Sequence, residues 1–320
     1  MGIFSSKSDV LEAGIMLGDS GMKRQMVIRN RLAILFVTCL VLALGACKSP
    51  PPSDQMVNIG THRLQIHLEG KGTPTVVIDA GITDQLDKLR SLQARIARFT
   101  RVVTYNRAGY GQSEPGPLPR HSGREAQELK TLLEKASIPG PYVLVGHSLG
   151  ALNVQVFASN YPNDVAGVVL LDSPPLSFIL GQEYASFMAM AEKMTAEWQT
   201  AADSGLKSNN DGDKARASFF RMIASEHREM FGESARLVNA ISTFGDTPLV
   251  VLAAGRPNPA FGDLAEEYQR YWIEQSRALT GRSANSRFIL ATDASHYIYL
   301  DRPDLVAESV LSVVNGVRRK

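Results

Sequence analysis

The sequence predicts an α/β fold, a mostly parallel sheet with helices on both faces, and three observations carry that expectation. Short apolar runs rich in β-branched residues alternate along the chain with segments of helical spacing, and such alternation demands right-handed crossovers between parallel strands. One of these runs leads into Gly146-His147-Ser148-Leu149-Gly150 and then directly into a helix-prone segment. A single stretch, residues 176–246, breaks the alternation with helix-prone sequence only.

The elements follow in order. Thr61 to Leu68 alternates apolar and polar residues, the pattern of a half-exposed strand. Thr75–Ile78 and Arg101–Tyr105 are buried-strand runs, and between them Leu86, Leu89, Leu92, Ile96 and Phe99 recur at helical spacing. Ser122-Gly123-Arg124-Glu125 reads as a capping box ahead of Leu129, Leu132 and Leu133. Tyr142–Val145, bounded by Pro139-Gly140-Pro141, is the strand before the serine motif. A helix follows the motif until Asn160-Tyr161-Pro162 stops it. Further strands are expected at Val165–Leu171, Pro248–Leu252 and Arg287–Leu290, and a closing helix from Pro303 to about Val314. Within the interruption, Phe187, Met188, Met190, Met194, Phe219, Phe220, Met222, Met230 and Phe231 supply a core of their own, with Gly205 to Asp213 as a polar loop. Its place between two strands suggests a helical cap over a site, with flexible methionines lining an acyl or alkyl pocket.

The stretch Gly146–Gly150 fits a Gly-x-Ser-x-Gly nucleophile elbow, whose crowded strand–turn–helix corner needs neighbours without side chains. Ser148 would then stand at the carboxyl edge of the sheet, facing the positive end of the next helix.

With Val77-Ile78-Asp79-Ala80-Gly81, Tyr105-Asn106-Arg107-Ala108-Gly109-Tyr110-Gly111-Gln112-Ser113, the elbow and Leu170-Leu171-Asp172-Ser173, residues from about 57 to 317 resemble the α/β-hydrolase superfamily, in particular its small bacterial serine hydrolases. The resemblance implies that fold, with a helical cap inserted late in the sheet, and the chain order Ser, acid, His. His296, after the last strand and before the final helix, fits the base. His62, His67, His121 and His227 read as exposed or satisfied histidines, and the elbow turns His147 away from Ser148. The acid has two candidates. Asp172 ends the strand after the nucleophile's helix, and Asp263 lies in the later loop, where Asn258 stands in the position many relatives give to Asp. Asp172 is preferred. The oxyanion donors are assigned to the backbone N–H groups of Leu149 and Ile82. Asp79 could anchor that loop through N–H groups or bond Arg107 or Asn106.

A serine nucleophile forms acyl-enzymes, so the expected function is hydrolysis of a carboxylic ester or related acyl bond. The alternatives are an acyltransferase or amidase on the same triad, or a low-turnover small-molecule receptor. No cofactor is expected, and six scattered histidines offer no zinc-type cluster.

Ahead of this domain, a basic stretch from Met22 to Arg31 precedes an apolar run, Leu32 to Ala46, ending Leu44-Gly45-Ala46-Cys47. That is a secretory signal, and the last four residues resemble a bacterial lipobox, with Cys47 acylated as the first mature residue. The run is shorter than the ~20 residues a spanning helix needs. In the proteobacterial sorting pattern that this resembles, Lys48 leans towards the outer membrane, facing the periplasm; in a host with one membrane the same signal means the outer leaflet of that membrane. Residues 1–21 fit neither signal nor domain, and translation is expected to start at Met22 or Met26.

The expected organisation is therefore extension 1–21, signal 22–46, linker 47–56, core 57–175 and 247–320, and cap 176–246. Residues 1–46 hold five of the 34 basic and three of the 32 acidic residues, leaving 29 of each. A neutral mature chain offers no basic patch for nucleic acid. Cys39 falls in the signal and Cys47 at the lipid anchor, so the folded domain has no disulfide.

Overall fold

The computed structural model describes residues 53–319; the signal-like segment, Cys47 and the proline-rich spacer through residue 52 lie outside them. Eight strands form one sheet in the order β1-β2-β4-β3-β5-β6-β7-β8. They are β1 (Ser53–Asn58), β2 (Arg63–Glu69), β3 (Thr75–Asp79), β4 (Val102–Tyr105), β5 (Tyr142–His147), β6 (Val165–Leu171), β7 (Leu249–Ala254) and β8 (Ser286–Ala291). β2 pairs antiparallel with β1 and β4, and every pairing from β4 to β8 is parallel.

Alternate strand residues feed two cores, as a period of two requires. Val77, Leu144, Leu170 and Val251 point to one face, under α2 (Ser122–Lys135) and α3 (Leu149–Asn160). Val76, Ile78, Val145, Val169 and Leu252 point to the other, under α1 (Leu86–Ile96) and α10 (Pro303–Arg318). The strands are apolar on both sides because both sides are covered. This is the α/β-hydrolase fold the sequence predicts.

Between β6 and β7 the chain forms α4 (Leu176–Ile179), α5 (Ala185–Leu206), α6 (Asp211–Met230) and α7 (Glu233–Asn239). Asn210 caps α6 through Oδ1, which accepts from Gly212 and Asp213 N–H. The expected loop from Gly205 to Asp213 is therefore shorter: its ends belong to the two helices.

Other local expectations also change. Strand β1 begins at Ser53, inside the stretch read as linker 47–56. Its polar side chains hid a strand held by the β2 backbone, and Asn58 Oδ1 accepts from Gly60 N–H in the turn between them. The capping box at Ser122 does not form. His121 is the N-cap, with its ring accepting from Arg124 N–H at 3.3 Å, and Glu125 turns instead to Arg120 at 2.7 Å. Helix α10 runs on to Arg318. After β7 comes α8 (Ala265–Ala278), to which the sequence reading gives no element, followed after β8 by the short α9 (Ile298–Asp301).

Candidate active site

A parallel sheet brings all its strand ends to one edge, so residues far apart in sequence converge there. The loops after β3, β5, β6, β7 and β8, which neighbour one another in that order, make this site.

Ser148 joins β5 to α3 with φ 51° and ψ −119°, a conformation an L-residue holds only when its surroundings impose it. They do. Its N–H donates to Leu171 O at 3.0 Å. A Cβ on Gly146 would lie 2.5 Å from Gly150 O, and one on Gly150 only 2.3 Å from Asp79 O, so neither position admits a side chain.

Asp172 follows β6 and is likewise left-handed, at φ 47°. Its N–H donates to Leu252 O and its Oδ1 accepts from Ala254 N–H, both at 2.8 Å. Oδ2 lies 2.6 Å from His296 Nδ1. An ionised carboxylate can only accept, so the Nδ1 hydrogen is fixed there and the Nε2 lone pair is left available. Asp263, the other candidate acid, is exposed in the turn Pro259–Leu264 and has no described bond to His296.

Ser148 and His296 line one cavity of about 240 Å³ with Gly81, Ile82, Thr83 and His147, and with Met194 and Trp198 of α5. His147, expected to turn away from Ser148, is in this lining. It is fully buried, and its Nε2 donates to the backbone oxygen of His296 at 2.9 Å, steadying the loop that carries His296. Its Nδ1 faces Asp84 at 3.6 Å. Burial pushes the Asp84 carboxyl up, but His147 and the hydrogen bonds from Lys88 and Tyr299 outweigh it and hold it well below the carboxylate range. Burial lowers the pKa of His147 itself.

The loop after β3 is held from below by Arg107. Its Nη1 donates to Asp79 Oδ1 at 2.7 Å and to Ala80 O at 2.6 Å, and its Nη2 to Gly81 O at 3.0 Å. Asp79 Oδ2 accepts from Tyr105 Oη at 2.8 Å and Asn153 Nδ2 at 3.1 Å. Asp79 is thus the partner of Arg107 rather than of Asn106, which bonds Gln65 and the Leu86 N–H. The Gly81–Ile82 peptide is trans. With the Gly81 oxygen directed at Arg107, the Ile82 N–H points the opposite way. Leu149, first residue of α3, has an N–H without a helical acceptor.

Sequence reasoning missed Glu226. It comes from α6, is fully buried, and grips Arg107 through both oxygens, at 2.9 Å to Nε and 3.1 Å to Nη2, with Tyr110 Oη also bonded to it. No local pattern links residues so distant, though the Arg107 segment itself was marked.

A second cavity, of about 230 Å³, shares His296 and Met194 with the first and is walled by α5, α6 and α8. Aromatic rings and the thioethers of Met190, Met194 and Met230 dominate its lining. Met222, one of the methionines expected to line a pocket, packs elsewhere, against Gly109, and Phe219 lies edge-on to Tyr110. His227, read from the sequence as an exposed or satisfied histidine, is buried in this apolar wall. Its Nδ1 is 2.6 Å from Thr195 Oγ1, and burial lowers its pKa to about 4.

The sheet order, the elbow and the convergent loops are those of the alpha/beta hydrolases. A family model described as the alpha/beta hydrolase family matches residues 81–309, and the chain belongs to that family. Its coarse activity class is that of a hydrolase. The uncharacterized protein YqjL of Bacillus subtilis (strain 168) is 28% identical over 247 residues, covering 77% of this chain and 86% of YqjL. The 2-(acetamidomethylene)succinate hydrolase of Mesorhizobium japonicum is 32% identical over 123 residues, covering 38% of this chain and 43% of that enzyme. Among solved structures, a thermophilic esterase from Thermogutta terrifontis aligns with a TM-score of 0.58 at 17% identity. The alignment covers 83% of this chain and 99% of the esterase, a likeness of fold.

Proposed function

We propose that the protein is a serine hydrolase that cleaves a carboxylic ester or related acyl bond, with Ser148 as nucleophile, His296 as base and Asp172 as acid partner. The observation that carries this reading is the 2.6 Å bond from His296 Nδ1 to Asp172, on a ring that shares a cavity with Ser148. Ser148 Oγ attacks the acyl carbon while His296 Nε2 takes its proton. The oxyanion that forms is met by the N–H groups of Ile82 and Leu149. Collapse breaks the bond to the leaving group, which takes the proton from His296. Water, deprotonated by the same nitrogen, then releases the acid and regenerates Ser148. An aspartate at position 148 would instead suit alkyl transfer, so the serine supports acyl chemistry.

The test is hydrolysis of p-nitrophenyl esters of increasing acyl length beside Ser148→Ala, with fluorophosphonate labelling of Ser148. Turnover and labelling should both vanish in the variant. A folded protein that neither turns over nor labels overturns the reading.

We further propose that the chain is exported and anchored to the outer membrane through lipid on Cys47, on the strength of the basic, apolar and small-residue pattern ending there. Palmitate incorporation that disappears in Cys47→Ser supports the anchor, and incorporation that persists overturns it.

A further inference from the structure

The 230 Å³ cavity is larger than the ~150 Å³ apolar cavity known to take up benzene. It therefore has room for a substituted ring, and its lining suits one. Phe178, Phe187, Phe231 and Phe261 present ring faces and edges, and the methionines adapt to the ligand's outline. No charged side chain is buried there except Asp172, which is already bonded to His296 and Ala254; Arg256 is exposed at the rim. The part of a ligand that enters must then be neutral.

Hydrocarbon alone does not match this wall. Tyr268 Oη and Trp272 Nε1 are buried and have no hydrogen-bond partner among the described residues, although both side chains line the cavity. Tyr268 is 2% exposed. Burial, with Tyr271, Tyr184 and Asp172 nearby, raises its pKa, so the phenol keeps its hydrogen and is a donor. The indole N–H can only donate. Two orphan donors in one buried wall are unusual, because buried polar groups nearly always find partners. Both come from α8, four residues apart, and that helical spacing puts them on one face.

The side of the scissile bond follows from the same lining. The cavity includes His296 and Asp172 but not Ser148, Ile82 or Leu149. The group that departs receives its proton from His296 and so extends past that ring.

We propose that the substrate is an ester whose leaving alcohol carries an uncharged aromatic group bearing a hydrogen-bond acceptor oxygen, received between Tyr268 and Trp272. The proposal rests on the serine-hydrolase reading above.

The experiment compares kcat/KM for 4-methoxybenzyl acetate and its hydrocarbon counterpart 4-ethylbenzyl acetate, with ethyl 4-methoxyphenylacetate as the ester that puts the same ring on the acyl side. The methoxy alcohol should be preferred about tenfold over the ethyl one, the worth of one hydrogen bond left unmade. In Tyr268→Phe and Trp272→Phe that ratio should fall towards one. Equal rates for the two benzyl esters in the wild-type protein overturn the proposal without any variant, as does a ratio that both variants leave intact. Preference for the phenylacetate ester overturns the assignment to the leaving side. In each of these cases Ser148 still labels with fluorophosphonate. Loss of labelling and of all turnover marks failure of the serine-hydrolase reading instead.

Discussion

Arg107 donates to the carbonyl oxygen of Gly81, and through one planar peptide that contact fixes where the Ile82 N–H points. The guanidinium is fully buried and does not line the 240 Å³ cavity that holds Ser148. It acts on the loop, not on the substrate. Arg107→Met should leave Asp79 and Glu226 as unpaired buried carboxylates, destabilising the fold by about 3–5 kcal/mol. Whatever folds should lose about 100- to 1,000-fold in kcat, the cost of one misplaced oxyanion donor. Chemical denaturation and ester turnover measure the two effects.

Glu226→Gln is the milder probe of the same contact. It keeps the length of the side chain and removes the charge that Arg107 needs. The expected result is a lower melting temperature and a kcat reduced about tenfold, the loss of one charge-assisted hydrogen bond. KM should stay within about twofold, because Glu226 lines neither cavity.

The two candidate acids separate cleanly. Asp172→Asn keeps the size of the side chain but no longer fixes the His296 tautomer, and kcat should fall by about 10,000-fold. Asp263→Asn changes an exposed turn and should leave turnover within about twofold. A reversal of these results would mean that the His296–Asp172 bond has no part in the reaction.

Acid should destabilise the protein through His227. Burial lowers its folded pKa to about 4 from an ordinary 6.5. Below 6.5 the unfolded chain binds the proton and the folded one does not, so stability falls as pH drops towards 4 and is unaffected above about pH 7.5. The difference is on the order of 3 kcal/mol. Urea midpoints at pH 7 and pH 4.5 should differ by less in His227→Gln than in the wild type.

Gly150→Ala would place a methyl 2.3 Å from Asp79 O. The expected cost is about 3 kcal/mol of overpacking, seen as a drop in thermal midpoint, with the loop after β3 displaced.

What the sequence disclosed, and what it withheld, follows from the range of the interactions. The elbow was legible because its demands are local: two glycines, a strand and a helix within a dozen residues. His296 was legible from chain order. Asp172 was preferred over Asp263 from its place in the chain, but what separates them, the bond to His296 and the exposure of Asp263, depends on how distant loops fold together. Glu226 was invisible because its partner lies 119 residues away. Tyr268 and Trp272 could have been noticed, since Tyr268, Tyr271 and Trp272 recur at helical spacing among charged residues. Strand β1 was hidden because backbone pairing, not apolar side chains, holds it.

The grip of Glu226 on Arg107 also bears on how the molecule matures. The sheet, the elbow and the His296 loop could all assemble while the helices between β6 and β7 were still unsettled. Such a half-finished chain would carry every reacting atom and remain inert, its oxyanion loop unbraced until the last helices dock. On the acyl-hydrolase reading proposed above, competence would then arrive only with completion, and a chain still being folded would cut nothing.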